Sequence, residues 1–227
     1  MTTALSDQGI QFASGNIIDL RTSYPTTGTF TAGDIVFESS TAGRISGWKR
    51  LTTSANNVLG TDWLYFTELT LATSQATTSG TSIDFTGIPS WVKRVTVMLN
   101  GVSTSGASDI LVRLGAGSVQ TTGYTSYLSQ VGAAGSTGVG TSSTAFICTT
   151  AISLVSVLYG QYVFDLIGAN TWVGSFVGGG TDTTPNPVGR CGGGSVVLSG
   201  TLDRLRLTTV GGTDTFDAGS VNIMYEG

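Results

Sequence analysis

The sequence predicts an all-β protein, in which a small N-terminal β module precedes an antiparallel, jelly-roll-like β-sandwich. Three observations support this class. Several stretches alternate apolar and polar residues with a period of two, which is typical of strands with one buried face. Glycine is abundant, with 33 among 227 residues, and turn residues separate the alternating stretches. Only one segment has a composition that would also suit a helix.

The clearest strands lie in the second half of the chain. The alternation is strongest in the segments 94–100, 110–114, 204–207 and 221–225. We expect further strands at 146–158, 160–167, 171–177 and 195–202. Many short strands at regular spacing favour a sandwich or jelly roll. A propeller or solenoid is disfavoured, because the sequence has no repeat of fixed period.

Glycine-rich segments separate these strands. Turns are predicted at Asn100-Gly101, Gly211-Gly212 and Ala218-Gly219. The stretches Gly123 to Val139 and Gly178 to Gly194 are predicted to be long loops, which are often functional. The run Ala151 to Leu158 is the ambiguous segment, and its β-branched residues favour a strand over a helix.

Three regions are expected along the chain: an attachment segment at 1–30, a small β module at 31–66 and the β-sandwich at 67–227. The stretch Ala72 to Ser82 suits either a linker or a threonine-rich edge strand. The length is sufficient for a substantial core without disulfides or metals.

Two tryptophans, Trp48 and Trp63, are expected to close the core of the small module. In the strand that follows Asp34, we expect Ile35 and Phe37 to face this core, with Val36 on the other side. Such a core is too small to stand alone, so the module would gain stability by packing on a neighbouring chain.

The charge balance disfavours nucleic acid as a partner. The net charge is −4, with only 10 basic residues, whereas phosphate binding needs a concentrated basic patch. Arg44, Lys49 and Arg50 form a small cluster that we interpret as solvated surface. Met1 to Leu20 lacks the pattern of a signal peptide, and no apolar run approaches the ~18 residues of a membrane helix.

Two cysteines occur, Cys148 and Cys191. A bridge between them would close a loop of about 43 residues and stabilise the fold by about 4 kcal/mol. Synthesis in a reducing cytoplasm favours free thiols, although the sequence leaves the pairing open. The apolar neighbours of Cys148 predict that it lies in the core.

Catalytic and metal-binding patterns are not found in the sequence. The chain has no histidine, which excludes histidine-dependent catalytic triads and the usual zinc sites. It has no phosphate-binding loop, and its acids lack a glycosidase-like constellation. Asp214 and Asp217 are interpreted as turn carboxylates, with calcium as the less favoured alternative. We therefore expect no enzyme activity, cofactor or metal.

Three aromatic residues are the candidates for contact with a receptor or glycan. Tyr124 and Tyr127 lie in a predicted glycine-rich loop, and Trp172 follows Asn170. Exposed rings could stack on the apolar faces of sugars. The alternative is that these rings belong to the core or to a subunit interface, as large aromatic residues usually do.

Three sequence segments resemble proteins of bacteriophage particles. Gly9 to Asn16 (GIQFASGN) resembles the GIQFPDGT segment of tail fibres, from which it departs at Ala13 and Ser14. The second resemblance is to a short module of fibres and tailspikes, through Gly33-Asp34-Ile35-Val36, Gly47-Trp48 and Gly60-Thr61-Asp62-Trp63. Thr81 to Arg94 resembles the start of a β domain in phage structural proteins. Together they span about a quarter of the chain.

The resemblance implies a virion structural protein of the short tail-fibre type, forming a homotrimer and assembled in the host cytoplasm. Its N-terminal part would bind a tail adaptor or the capsid, and its sandwich would contact the host surface, including glycans. The alternative is a capsid decoration or head-fibre protein that stabilises the head. A polysaccharide depolymerase is disfavoured, since no solenoid repeat is present.

Overall fold

The computed structural model describes residues 5–6, 9–38, 46–67, 69–135, 137–150, 152–181 and 186–227. Strands contain 58% of the residues and helix contains 1%, so the all-β prediction is confirmed. The chain divides into two compact units, one ending at Leu69 and the other running from Thr70 to Gly227. Across the described ranges, no helix has the length and apolar character needed to span a membrane.

The first unit contains a six-stranded sheet whose spatial order follows the sequence. Its strands are β1 (Leu5–Ser6), β2 (Gly9–Gln11), β3 (Ile17–Arg21), β4 (Ile35–Glu38), β5 (Ser46–Arg50) and β6 (Trp63–Thr67). Strands β3 and β4 pair in parallel, and the other neighbours are antiparallel.

The core of the first unit is small. Among the described residues of this unit, the buried apolar ones are Phe30, Val36, Trp48 and Trp63. The prediction that the two tryptophans close this core is confirmed. The predicted orientation of β4 is wrong, because Val36 is fully buried while Ile35 and Phe37 are half-buried. Val36 pairs with Trp48, and cross-strand partners point to the same face of a sheet.

The predicted basic surface cluster is only partly correct. Lys49 is exposed, as expected, but Arg50 is buried with 1% exposure. Arg44 lies outside the described residues. The alternation along β5 explains the difference, because Trp48 and Arg50 share the face that points to the core.

The guanidinium of Arg50 organises the loop that follows β5. Its Nε donates to the carbonyl of Thr52 at 2.6 Å, and its Nη2 donates to the carbonyls of Ser54 at 2.9 Å and Asn56 at 2.6 Å. The group also lies over the ring of Trp63, 5.2 Å from the centroid. The buried charge is therefore balanced by backbone acceptors and an aromatic face.

The second unit has two antiparallel sheets. Its strands are β7 (Thr70–Leu71), β8 (Gln75–Ala76), β9 (Ser82–Thr86), β10 (Arg94–Thr104), β11 (Ile110–Ala116), β12 (Ser118–Val119), β13 (Tyr124–Gly132), β14 (Thr137–Ser142), β15 (Phe146–Ile147), β16 (Leu158–Gly168), β17 (Thr171–Thr181), β18 (Pro187–Val197), β19 (Arg204–Thr209) and β20 (Phe216–Glu226). A 3-10 turn, Ala133–Gly135, follows β13.

The large sheet has nine strands in the order β14-β13-β18-β17-β16-β10-β20-β7, with β8 also paired to β20. The small sheet has the order β12-β11-β19-β9, with β15 also paired to β11. Residues of both sheets belong to one buried cluster. The ring of Phe146 lies 5.2 Å from the ring of Tyr124 and 4.8 Å from that of Phe164, so the sheets pack face to face.

The strands predicted from alternation are confirmed in β10, β11, β19 and β20. The predicted loops at 123–139 and 178–194 are wrong, since both stretches are mostly strand. The first forms β13 and the start of β14, and the second forms the end of β17 and most of β18. Residues 182–185 of the second stretch lie outside the described residues.

The glycines of β18 have a packing role. A side chain at Gly192 would collide with the backbone oxygen of Tyr127, and one at Gly194 would collide with that of Thr125. Glycine at these positions therefore lets β13 and β18 lie side by side with their registers matched. The same glycines conceal the strand signal in the sequence.

Two of the three predicted turns are wrong. Gly211 and Gly212 do lie in a turn, both with positive φ. Gly101 and Gly219, by contrast, lie inside β10 and β20, where the register of the pair shifts. A side chain at Gly219 would collide with the backbone of Gly101, so the two glycines form facing bulges.

The strand predicted at 146–158 is also too long. Only Phe146 and Ile147 form β15, residues 152–157 form a turn-rich segment, and Ala151 is not described. The reason is topological, since β15 belongs to the small sheet and β16 to the large one. The strand predicted at 195–202 ends at Val197, and Gln75–Ala76 forms an edge strand within the possible linker.

Candidate interaction face

Tyr124 is not accessible to a receptor. It lies on β13 with 4% exposure, and its hydroxyl accepts the N–H of Leu114 at 3.0 Å. The same oxygen lies 3.1 Å from the carbonyl of Gln120. Its proposed role in glycan contact is therefore wrong, because the ring points into the core. Burial raises the pKa of Tyr124 to about 12.

This burial predicts a loss of stability at alkaline pH. The unfolded chain loses the Tyr124 proton near pH 10, while the folded chain keeps it up to about pH 12. The free energy of unfolding should therefore fall as pH rises through this interval. Denaturant titrations from pH 8 to 12 should show a shallower fall for Tyr124→Phe. Tyr127→Phe, at an exposed position, should keep the wild-type slope, and equal slopes for all three proteins would contradict this prediction.

Trp172 is buried as well, with 1% exposure on β17. Its cross-strand partners are Leu166 and Val196, which point to the same inner side of the large sheet. The expectation of a surface contact at Trp172 is wrong, because the period of two places Val173 outward instead. Tyr127 is the candidate that does face solvent, with 59% exposure.

Tyr127 belongs to a broad solvent-facing surface. We define the outer face as the outward residues of five adjacent strands, β14, β13, β18, β17 and β16. Its cross-strand rows are continuous, as in Tyr127–Gly193–Ser175–Val163. Its exposed large apolar residues are Tyr127, Val131, Val139, Tyr159, Val173, Val177 and Val197, each between 39% and 76% exposed.

Charge is nearly missing from this part of the chain. From Leu114 to Thr181, the only charged residue is Asp165. Asp165 lies at a corner of the outer face and pairs with Arg94 of β10 at 2.6 Å. The outward side of the small sheet differs, because it carries the ion pair between Arg206 and Asp84 at 2.6 Å.

The outer face is lowest along β18. The outward residues of this strand include Gly189, Cys191, Gly193 and Ser195, which are small. The neighbouring strands β13 and β17 carry larger outward residues at several positions, namely Tyr127, Val131, Val173 and Val177. The face therefore has a shallow trough along β18 between two ridges.

The ring of Tyr127 stands between two open depressions. One has a volume of about 400 Å³ and is lined by Thr125, Thr141 and Ser142, among others. The other has a volume of about 450 Å³ and is lined by Ser129, Val139 and Cys191, among others. Their hydroxyl groups could hydrogen-bond a saccharide, and the valines and the ring could contact an apolar protein surface.

The two cysteines are free thiols in contrasting environments. Cys148 is completely buried, as predicted, and burial raises the pKa of its thiol far above the ordinary range. Cys191 is exposed on the outer face. In dilute native protein, iodoacetamide should therefore modify Cys191 and spare Cys148. Mass spectrometry should find one adduct before unfolding and two after it, and a native adduct on Cys148 would contradict the burial.

Asp214 and Asp217 accept hydrogen bonds from β10 and from the loop that follows it. Asp214 accepts the N–H of Ser108 at 2.8 Å, and Asp217 accepts the hydroxyl of Ser103. Asp214 therefore accepts from a backbone N–H, but from a segment distant in sequence and not from its own turn. Within the described ranges, no group of three or more His, Cys, Asp or Glu residues is placed to hold a metal ion.

Comparison with protein-family models, curated proteins and solved structures found no match to the chain. The geometry is therefore the basis for function. The outer face offers apolar contact, hydroxyl groups and little charge to remove from water on binding. Such a surface suits burial against a protein or contact with a neutral saccharide.

Proposed function

We propose that this chain is a non-enzymatic structural component of a bacteriophage particle, of the short tail-fibre type. Its N-terminal unit would anchor it to the particle, and its sandwich would be presented for attachment to the host surface. The outer face carries this proposal, because a broad exposed surface with valines and almost no charge suits a subunit of an assembly. The resemblance of three segments to phage proteins suggests that this assembly is a bacteriophage particle.

The first unit has a second apolar surface that supports its anchoring role. On the face opposite the small core, Phe37 and Phe66 meet edge to face at 5.9 Å above Gly47. Leu20 shares this row and is 66% exposed, and Leu64 is 51% exposed on the same side. A unit with so small a core gains stability when such a face is buried.

A capsid decoration protein is the second candidate, and the outer face favours it too. A surface that is apolar and nearly uncharged could pack against neighbouring capsid subunits with little desolvation cost. In that role the chain would stabilise the head and would need no receptor.

Electron cryo-microscopy of the intact particle tests both candidates. Density for this chain at the tail would support the tail-fibre proposal. Purified protein should then also compete with the particle for adsorption to host cells. Density on the capsid lattice would instead support decoration, with normal adsorption and a fragile head when the chain is removed. A particle that lacks the chain would overturn both.

A further inference from the structure

We propose that the outer face packs against the outer face of a second copy of this chain. The large apolar residues of this face are 39% to 76% exposed, whereas inward residues of the same sheet such as Tyr124, Trp172 and Phe176 are buried in the sandwich core. Exposed large apolar residues grouped on one face often mark a surface that binds another protein. The proposal goes beyond the proposed function and does not depend on it.

The area of the outer face suits a stable pair. Its five strands contain 9, 6, 11, 11 and 11 residues. One residue occupies about 16 Å² of a sheet, which gives a face of about 770 Å². A standard protein interface buries about 800 Å² on each partner. The face is therefore large enough to hold two copies together without a contribution from other surfaces.

The distribution of charge selects a like partner. Two identical faces in contact bring like charges together, which weakens pairing unless the faces are nearly uncharged. Among the described residues of the outer face, Asp165 is the charged one, and it pairs with Arg94 of β10 at 2.6 Å. This pair lies at a corner of the face, where the polar rim of an interface is usually found.

The charge also disfavours contact of the outer face with the outward side of the small sheet of a second copy. The outward side of the small sheet carries Asp84 and Arg206 as an ion pair, with Arg113 beside Arg206 in the adjacent strand. Burying these groups against an apolar face would cost desolvation energy without a compensating partner. Contact between two outer faces avoids that cost.

The relief of the face is self-complementary. The trough of small residues along β18 lies between the ridges of β13 and β17. A two-fold axis near the middle of the face would place a ridge of each copy over the trough of the other. Two-fold contacts of this isologous kind are the commonest in homo-oligomers.

Sedimentation equilibrium of the full chain, from dilute to concentrated solution, tests the proposal. The wild-type mass should rise from one chain of 23.3 kDa to two. Val177→Glu places a carboxylate on the ridge of β17, and we expect it to stay at the mass of one chain. Thr86→Glu adds the same charge at an exposed position of β9 in the small sheet, and we expect it to pair like the wild type.

Alkylation of Cys191 locates the contact without a substitution. In the wild type, its rate should fall as the mass doubles, because the thiol lies in the trough that the partner covers. If circular dichroism shows that Val177→Glu is unfolded, this measurement still tests whether the outer face forms the contact between two copies.

Several outcomes would overturn the proposal. A wild type with the mass of one chain throughout, or a folded Val177→Glu that still pairs, would do so. A doubled mass with unchanged alkylation of Cys191 would place the contact elsewhere. A mass of three copies would favour the homotrimer that the phage resemblance implies. Protection of Cys191 in monomeric protein by host polysaccharide would assign the face to a saccharide at Tyr127.

Discussion

Replacing Trp172 with alanine is expected to lower the free energy of unfolding of the sandwich by about 3–5 kcal/mol. The side chain is 1% exposed and belongs to the core between the two sheets, so its removal leaves a large cavity. Equilibrium denaturation followed by far-ultraviolet circular dichroism would measure the change.

Two variants test whether the loss comes from packing. Within the described residues, the indole Nε1 of Trp172 has no hydrogen-bond partner. Trp172→Phe also removes this unpaired donor, so it should cost clearly less than the alanine variant. Tyr127→Ala, on the exposed side of the same sheet, should change stability by no more than about 0.5 kcal/mol. Equal losses for the alanine variants of Trp172 and Tyr127 would contradict the assignment of inner and outer faces.

Replacing Arg50 with methionine is expected to unfold the first unit selectively. The substitution leaves the carbonyls of Thr52, Ser54 and Asn56 without their charged donor. Lost hydrogen bonds to a buried charged group cost about 1.5–3 kcal/mol each, which the four buried apolar residues found in the described part of this unit cannot offset. Hydrogen exchange with mass spectrometry should show lost protection in β3 to β6 and unchanged protection in the sandwich.

Lys49→Met is the matched control for this prediction. It removes the same charge from the adjacent residue of β5, but the lysine side chain is exposed. We expect the exchange pattern of the wild type. If both variants lost protection to the same extent, net charge would explain the effect, and the loop contacts of Arg50 would not.

The strands that the sequence predicts well share a simple property. In β10 and β20, apolar residues face the core at every second position, so burial and sequence pattern coincide. In β13, the inward positions include Ser126 and Gln130, which are polar, and the outward positions include Tyr127 and Val131. The polar and apolar residues are mixed on both sides, so periodicity gives no signal even though the backbone forms a regular strand.

The candidate site was predictable only in part, for the same reason. Tyr124 and Tyr127 are three residues apart, so a strand places them on opposite faces, whereas a loop would allow both to be exposed. Placing β13 incorrectly in a loop therefore led directly to the wrong role for Tyr124. The outer face arises from five strands whose order in space differs from their order in sequence, which no local pattern specifies. The uncharged stretch around these strands was the signal that could have indicated it.

The position of the last strand has a consequence for how the protein is made. Strand β20 lies between β10 and β7, so the large sheet has a gap until the final residues from Phe216 onward have been synthesised. A nascent chain thus exposes the open edge of β10 until β20 has been made, and such edges invite pairing with other chains. A chain that lacks β20 would therefore keep this edge open and aggregate, so the solubility of the sandwich depends on one eleven-residue strand.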